Sequence, residues 1–218
     1  MIQSFWANKW DIGQIGFHRD EVNDALLRFG PEVFGAQTCR ILVPLCGMSM
    51  DLDWLVRQGH EVVGVEFVRE AVERLAHRLG EPKTVDKLAN GMERWNWSPA
   101  FSVLLGDFFE LSAAQERSFD AVWDRASIVA IDPQKRPKYV HEVKKAVKSG
   151  GQILMRTFEY DQSEMDGPPF SVAERQIREA LYADCEVYLL EDLRSDPEGK
   201  FQERGLTQQR VCTYRIVV

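Results

Sequence analysis

The chain has 218 residues, 44% hydrophobic and 28% charged, the composition of an ordinary globular protein and not of a low-complexity or collagen-like chain. Folding at this length buries roughly 70% of the unfolded surface, so one domain (residues 1–218) can hold its core without metal or disulfide staples. The 27 Lys and Arg stand against 34 Asp and Glu, a formal charge of −7, which gives no electrostatic footprint for a phosphate backbone and argues against nucleic acid as a partner.

The start, MIQSFWANKWDIG, lacks the basic and continuous apolar regions of a signal peptide. No apolar run approaches the roughly 20 residues a membrane helix needs. A cytoplasmic protein without a membrane partner is expected. This first stretch carries Phe5, Trp6, Trp10 and Phe17, which suit either a capping helix packed through its aromatics or a lid over a site.

From residue 40 onward, strand-length apolar runs alternate with amphipathic stretches. The runs are RILVP (40–44), EVVGVE (61–66), FSVLL (101–105), FDAVWD (119–124) and QILMRTF (152–158). Between them lie DLDWLVRQ, VREAVERLAHRL and PQKRPKYVHEVKKAVK, the last with Ser149, Gly150 and Gly151 where a helix C-cap belongs. Such alternation predicts an α/β fold with a mostly parallel sheet covered by helices on both faces. The tail departs from it: EVYLLEDL (186–193) and QRVCTYRIVV (209–218) are joined by a polar loop only, which predicts an antiparallel hairpin. An α/β sheet ending in a hairpin fits the methyltransferase variant of the doubly wound fold better than the dehydrogenase variant.

The turn after the first run, VPLCGMSMD, is where a doubly wound sheet binds its ligand. It holds one glycine, Gly47, and not GxGxxG, so a dinucleotide pyrophosphate is disfavoured. Glu66 ends the second run 19 residues later, where a carboxylate can accept hydrogen bonds from ribose hydroxyls. Asp107 and Phe108 follow the third run, and Asp124 and Arg125 end the fourth. Singly, each has a structural explanation: a turn glycine, an edge carboxylate, a helix N-cap, an ion pair. In order along one sheet edge they outline a site for a nucleoside. Cys39, Cys46, Cys185 and Cys212 are scattered, without a CxxC pair or a histidine at ligand spacing, so reduced thiols and no metal are expected.

Four segments together carry a family resemblance: FWANKWDIGQIGFH (5–18), LVPLCGMSMDLDWLVRQGHEVVGVE (42–66), WDRASIVAIDP (123–133) and GPPF (167–170). The chain resembles the thiopurine S-methyltransferases, the bacterial members in particular, nearly end to end. The resemblance implies a class I S-adenosylmethionine-dependent methyltransferase (Rossmann-like) fold with a seven-stranded sheet, residues 1–30 acting as a lid, and S-adenosylmethionine as cofactor, left as S-adenosylhomocysteine. It implies cofactor contacts from Trp10, Leu45, Gly47, Glu66, Asp107, Phe108 and Arg125. Phe17, Arg125, Pro168, Pro169 and Arg204 carry over to the acceptor pocket, with Arg125 as the catalytic position. Met48 stands where the family usually has Lys. The acceptor is expected to be a small-molecule thiol, with selenium or tellurium species as the alternative; a non-catalytic S-adenosylmethionine-binding protein is the reading from a different class. The chain is large enough to act as a monomer.

His18 and His141 are the histidines that a general-base reading would single out, His141 sitting on a basic helix and His18 behind the aromatic segment. Methyl transfer from a sulfonium to a thiolate needs little acid-base machinery, because both charges disappear together in a water-excluding pocket.

Overall fold

The computed structural model describes residues 3–111 and 118–218; of the segment expected as a lid, residues 1 and 2 lie outside them. Two helices come first, α1 (Gln3–Asp11) and α2 (Asp24–Phe34). They are followed by β1 (Arg40–Pro44), α3 (Met50–Arg57), β2 (Glu61–Glu66), α4 (Arg69–Leu79), β3 (Thr84–Lys87), β4 (Glu93–Ser98) and β5 (Phe101–Leu105). The remainder is β6 (Phe119–Arg125), α5 (Arg136–Ala146), β7 (Val147–Glu159), α6 (Glu174–Gln176), β8 (Glu186–Ser195), α7 (Lys200–Glu203) and β9 (Gln209–Val217).

The strands form one sheet in the order β3-β4-β5-β2-β1-β6-β7-β9-β8. Its centre, β5 through β7, is parallel. The tail folds back as the expected antiparallel pair, β9 on β7 and β8 on β9. The sheet has nine strands where seven were expected, because β3 and β4 form an added antiparallel hairpin against β5.

Residues alternate across the sheet as the strand period requires. Along β1, Leu42 joins the cluster with Tyr139, Val140 and Val143 of α5. Its neighbours Ile41 and Val43 join the opposite cluster, with Leu26 of α2, Leu52 of α3 and Val72 of α4. Both faces of β1 are therefore covered, which is why its run is apolar throughout.

A second expectation is corrected at β7. Ser149, Gly150 and Gly151 do not cap α5; the helix ends at Ala146 and the three residues lie within β7, where its register against β6 shifts. A Cβ on Gly151 would fall 2.4 Å from Val147 Cγ1 and 2.9 Å from the Asp120 carbonyl, so the glycine answers a close backbone approach and not a cap.

Candidate active site

The parallel strands end at one edge of the sheet. From β1 the chain adds β2 and β5 on one side and β6 and β7 on the other. That switch point opens a crevice beyond the carboxyl ends of β1 and β6. Two non-glycine residues there hold left-handed backbone, Leu45 after β1 (φ 48°) and Ala126 after β6 (φ 61°). Such conformations cost of order 1 kcal/mol and persist where the surroundings over-determine them. The Ser127 hydroxyl does part of this by donating to the Pro44 carbonyl at 2.7 Å, which ties the two strand ends together.

Glu66, at the end of β2, is buried, with 5% of its surface exposed. One oxygen accepts the Gly47 amide at 2.9 Å, and the other accepts the Phe67 and Val68 amides at 2.9 and 2.8 Å. Burial raises its pKa, and the three amides oppose the rise. The carboxylate thus fixes the turns after β1 and β2 while still lining the crevice.

Asp51 opens α3, whose N-cap Ser49 accepts the Asp51 amide at 3.2 Å. Its own carboxylate turns inward: Oδ2 accepts the Trp123 indole N–H at 2.8 Å and Oδ1 the Asn23 amide at 2.8 Å. Asp51 thereby joins the floor of the crevice to the segment entering α2.

Arg125 follows Asp124 at the end of β6, and the two side chains part. Asp124 is fully buried and accepts from the Ile128 amide at 3.0 Å and the Tyr139 hydroxyl at 2.8 Å. Burial pushes its carboxyl up to about 6. Arg125 instead points to the crevice, its pKa lowered by burial and by Arg19 and Arg156 against the attraction of Asp51 and Asp24.

Two cavities meet at Arg125. The first, about 70 Å³, lies over the turn after β1, with Trp10, Leu45, Gly47, Glu66 and Arg125 among its lining. The second, about 440 Å³, is lined by Phe17, Arg125, Pro168, Pro169 and Arg204 together with Phe158 and Phe201. Trp6, Phe17, Arg125, Ala126 and Ala130 belong to both. The first is small because the Trp10 ring, 2% exposed, packs with Val68 and Ala71. A Cβ on Gly47 would stand 3.2 Å from that ring. In the second, the Tyr160 hydroxyl donates to the Pro169 carbonyl at 2.6 Å, holding the Pro168-Pro169 wall.

Three residues named from sequence for the nucleoside site line neither cavity: Asp124, turned to Tyr139 as described, Asp107 and Phe108. Asp107 is the N-cap of a single 3₁₀ turn, accepting the Phe109 amide at 3.0 Å. The Phe108 ring is 2% exposed and packs on Tyr139, with centroids 5.0 Å apart, so it is a core residue and offers no free face for stacking. Conversely, sequence reasoning missed Asp51 and Trp123 in the first cavity and Arg19, Arg156, Phe158, Lys200 and Phe201 in the second. His18 lines the first cavity beside Asp20 at 3.3 Å. Burial lowers its pKa. His141 is exposed on α5. Burial pushes the Cys46 thiol well up, which disfavours its thiolate.

The profile of the family described as Thiopurine S-methyltransferase (TPMT) matches residues 1–216. The chain belongs to the thiopurine S-methyltransferase family. It is 37% identical over 218 residues to the thiopurine S-methyltransferase of Bordetella petrii, covering 99% of this chain and 98% of that one. It is 39% identical over 214 residues to that of Vibrio atlanticus, covering 97% and 96%. Among solved structures, the fold is similar to a Burkholderia thailandensis 1,6-didemethyltoxoflavin-N1-methyltransferase with bound 1,6-didemethyltoxoflavin and S-adenosylhomocysteine (TM-score 0.65, 19% identity, 97% of this chain and 85% of that one). As a thiopurine S-methyltransferase family member the chain is an S-adenosylmethionine-dependent enzyme. The donor set suits that cofactor: two carboxylates, a guanidinium and apolar walls answer a nucleoside that bears a charged amino acid.

Proposed function

We propose that S-adenosylmethionine occupies the first cavity, that the acceptor occupies the second, and that the sulfur of an aromatic or heterocyclic thiol is methylated where they meet, beside Arg125. The observation that carries this reading is that meeting point: Arg125 and Phe17 line both cavities, so one guanidinium can reach both reactants. The cofactor supplies a methyl group on a sulfonium. Arg125 favours the thiolate over the thiol, and the thiolate is the nucleophile. Phe17, with the Trp6 ring 5.3 Å away and the Trp10 ring 5.6 Å away, closes the junction to water, which strengthens the attraction between Arg125 and the sulfur. Glu66 takes the ribose, and Pro168 and Pro169 support the acceptor ring. The acceptor's proton leaves to solvent, with no side chain required to take it.

Of residues 1–30, the stretch before α2 acts as the lid of a single methyltransferase domain; from Asp24 onward the chain belongs to the core, with Ala25 and Leu26 fully buried. Support comes from the first cavity, which at about 70 Å³ is below the several hundred Å³ of a ligand pocket while Trp10 fills it; that ring must swing out to admit a nucleoside. Among the described residues no helix is long and apolar enough to cross a membrane, and the free cysteines suit the cytoplasm.

Mass spectrometry of products from S-adenosylmethionine with 6-mercaptopurine, selenite or 2-mercaptoethanol tests the reading. An S-methyl product from the ring thiol, in excess over the other acceptors, is expected. Turnover restricted to selenite or the aliphatic thiol would overturn the acceptor assignment.

A further inference from the structure

The second cavity has a charge pattern opposite to that of the chain. Lys9, Arg19, Arg125, Arg156, Lys200 and Arg204 line it, and no Asp or Glu does among the described residues, although the formal charge of the whole is −7. Arg156 is answered by Asp24 at 3.1 Å and Glu191 at 3.6 Å. The others are not. Lys9 donates to Gln14 Oε1 at 2.6 Å, Lys200 to the Gly16 carbonyl at 2.8 Å and Arg204 to the Pro168 carbonyl at 3.4 Å, all neutral acceptors. Arg19 and Arg125 have no carboxylate at ion-pair distance among the described residues. Burial and repulsion from Arg19, Arg204 and Arg125 lower the Lys200 pKa, so these cations are close enough to act on one another.

A cluster of like charges in a partly enclosed cavity is unfavourable until a ligand brings the counter-charge. The thiolate brings one negative charge, and Arg125 at the junction answers it. The cations at the mouth, Arg19, Lys200 and Arg204, remain. The cavity walls are aromatic: Trp6 meets Phe17 edge to face at 5.3 Å, and Phe158 lies 4.9 Å from Phe201. A volume of about 440 Å³ suits a substituted ring and far exceeds a small oxyanion.

We propose that the acceptor is a ring thiol with a carboxylate away from its sulfur, received by Arg19, Lys200 and Arg204 while the sulfur faces Arg125. The inference rests on the proposed function and adds a substrate class to it. Guanidinium groups suit a carboxylate because their paired N–H donors match its two oxygens.

The test compares 4-mercaptobenzoate with its neutral isostere 4-mercaptobenzamide, for kcat/KM at low and high salt. The carboxylate is expected to be preferred about tenfold or more, in keeping with hydrogen bonds to charged groups. Added salt should erode the preference, because the mouth is exposed. Arg19→Gln, at an exposed position, should bring the ratio toward one. Lys200→Gln should do the same, but it also frees Gly16, so Arg19→Gln decides. Turnover of both acceptors at equal, salt-independent kcat/KM would overturn the inference and leave the proposed function standing. Turnover of neither would overturn the function; titration calorimetry of benzoate against benzamide then decides the inference without chemistry, tighter benzoate supporting it and equal binding overturning it.

Discussion

The Gly47 amide donates to Glu66 Oε2 at 2.9 Å, joining the turn after β1 to the end of β2. With the Phe67 and Val68 amides on the other oxygen, one carboxylate organises both turns that face the crevice. Glu66→Gln has a single acceptor oxygen and orphans at least one of these amides, which costs about 1–3 kcal/mol. Urea unfolding should show that loss, and calorimetry should show weaker S-adenosylmethionine binding. An unchanged midpoint and affinity would remove Glu66 from the site.

Asp124 makes stability depend on pH. Its folded pKa is about 6, above the ordinary 3.8, so between these values the folded protein holds a proton that the unfolded chain has released. Stability is therefore fully present below pH about 4, falls as pH rises toward about 6, and is level above that. The drop is about 2–3 kcal/mol for a shift of this size. Asp124→Asn should flatten the profile of unfolding free energy against pH; a profile as steep as that of the parent would place the titration elsewhere.

Arg125 is predicted to act on the acceptor sulfur. Arg125→Gln should lower kcat/KM for 6-mercaptopurine about 10- to 100-fold, the range for one hydrogen bond to a charged group. The loss should be smaller for thiols of lower pKa, which ionise without help. Stopped assays across a series of substituted thiophenols check this, and a loss independent of thiol acidity would contradict the assignment.

Trp10 covers Gly47, whose φ is 53°, with 3.2 Å between the ring and the place of a Cβ. Gly47→Ala should strain the turn by about 1 kcal/mol and displace Trp10, and indole fluorescence should report the displacement. Removing residues 1–15 should weaken cofactor binding and abolish turnover. A truncated protein with full activity would contradict a lid.

The central strands were legible because each is buried on both faces and reads as an apolar run, with Glu66 marked by its spacing from Gly47. The added hairpin was not. β3 is exposed along its whole length, and β4 sets Trp95 and Trp97 among Glu93, Arg94, Asn96 and Ser98, so neither presents an apolar run. α2 was hidden by Gly30 and Pro31 within DALLRFGPEVF. The direction of Phe108 was not legible because a residue after a strand can turn either to the crevice or to the core, and α5 offers Tyr139 on the core side. Lys200 reaches Gly16 across 184 positions of sequence, a contact no local pattern encodes. Asp51 reads as a helix-start residue until Trp123 is folded against it.

Release of S-adenosylhomocysteine from S-adenosylmethionine, with and without 6-mercaptopurine, tests the central claim most directly when run beside Arg125→Gln. Acceptor-dependent release that falls in the variant at saturating S-adenosylmethionine is the predicted result. Cofactor binding without acceptor-dependent release, or release equal in the two proteins, would contradict methyl transfer to a thiol held beside Arg125.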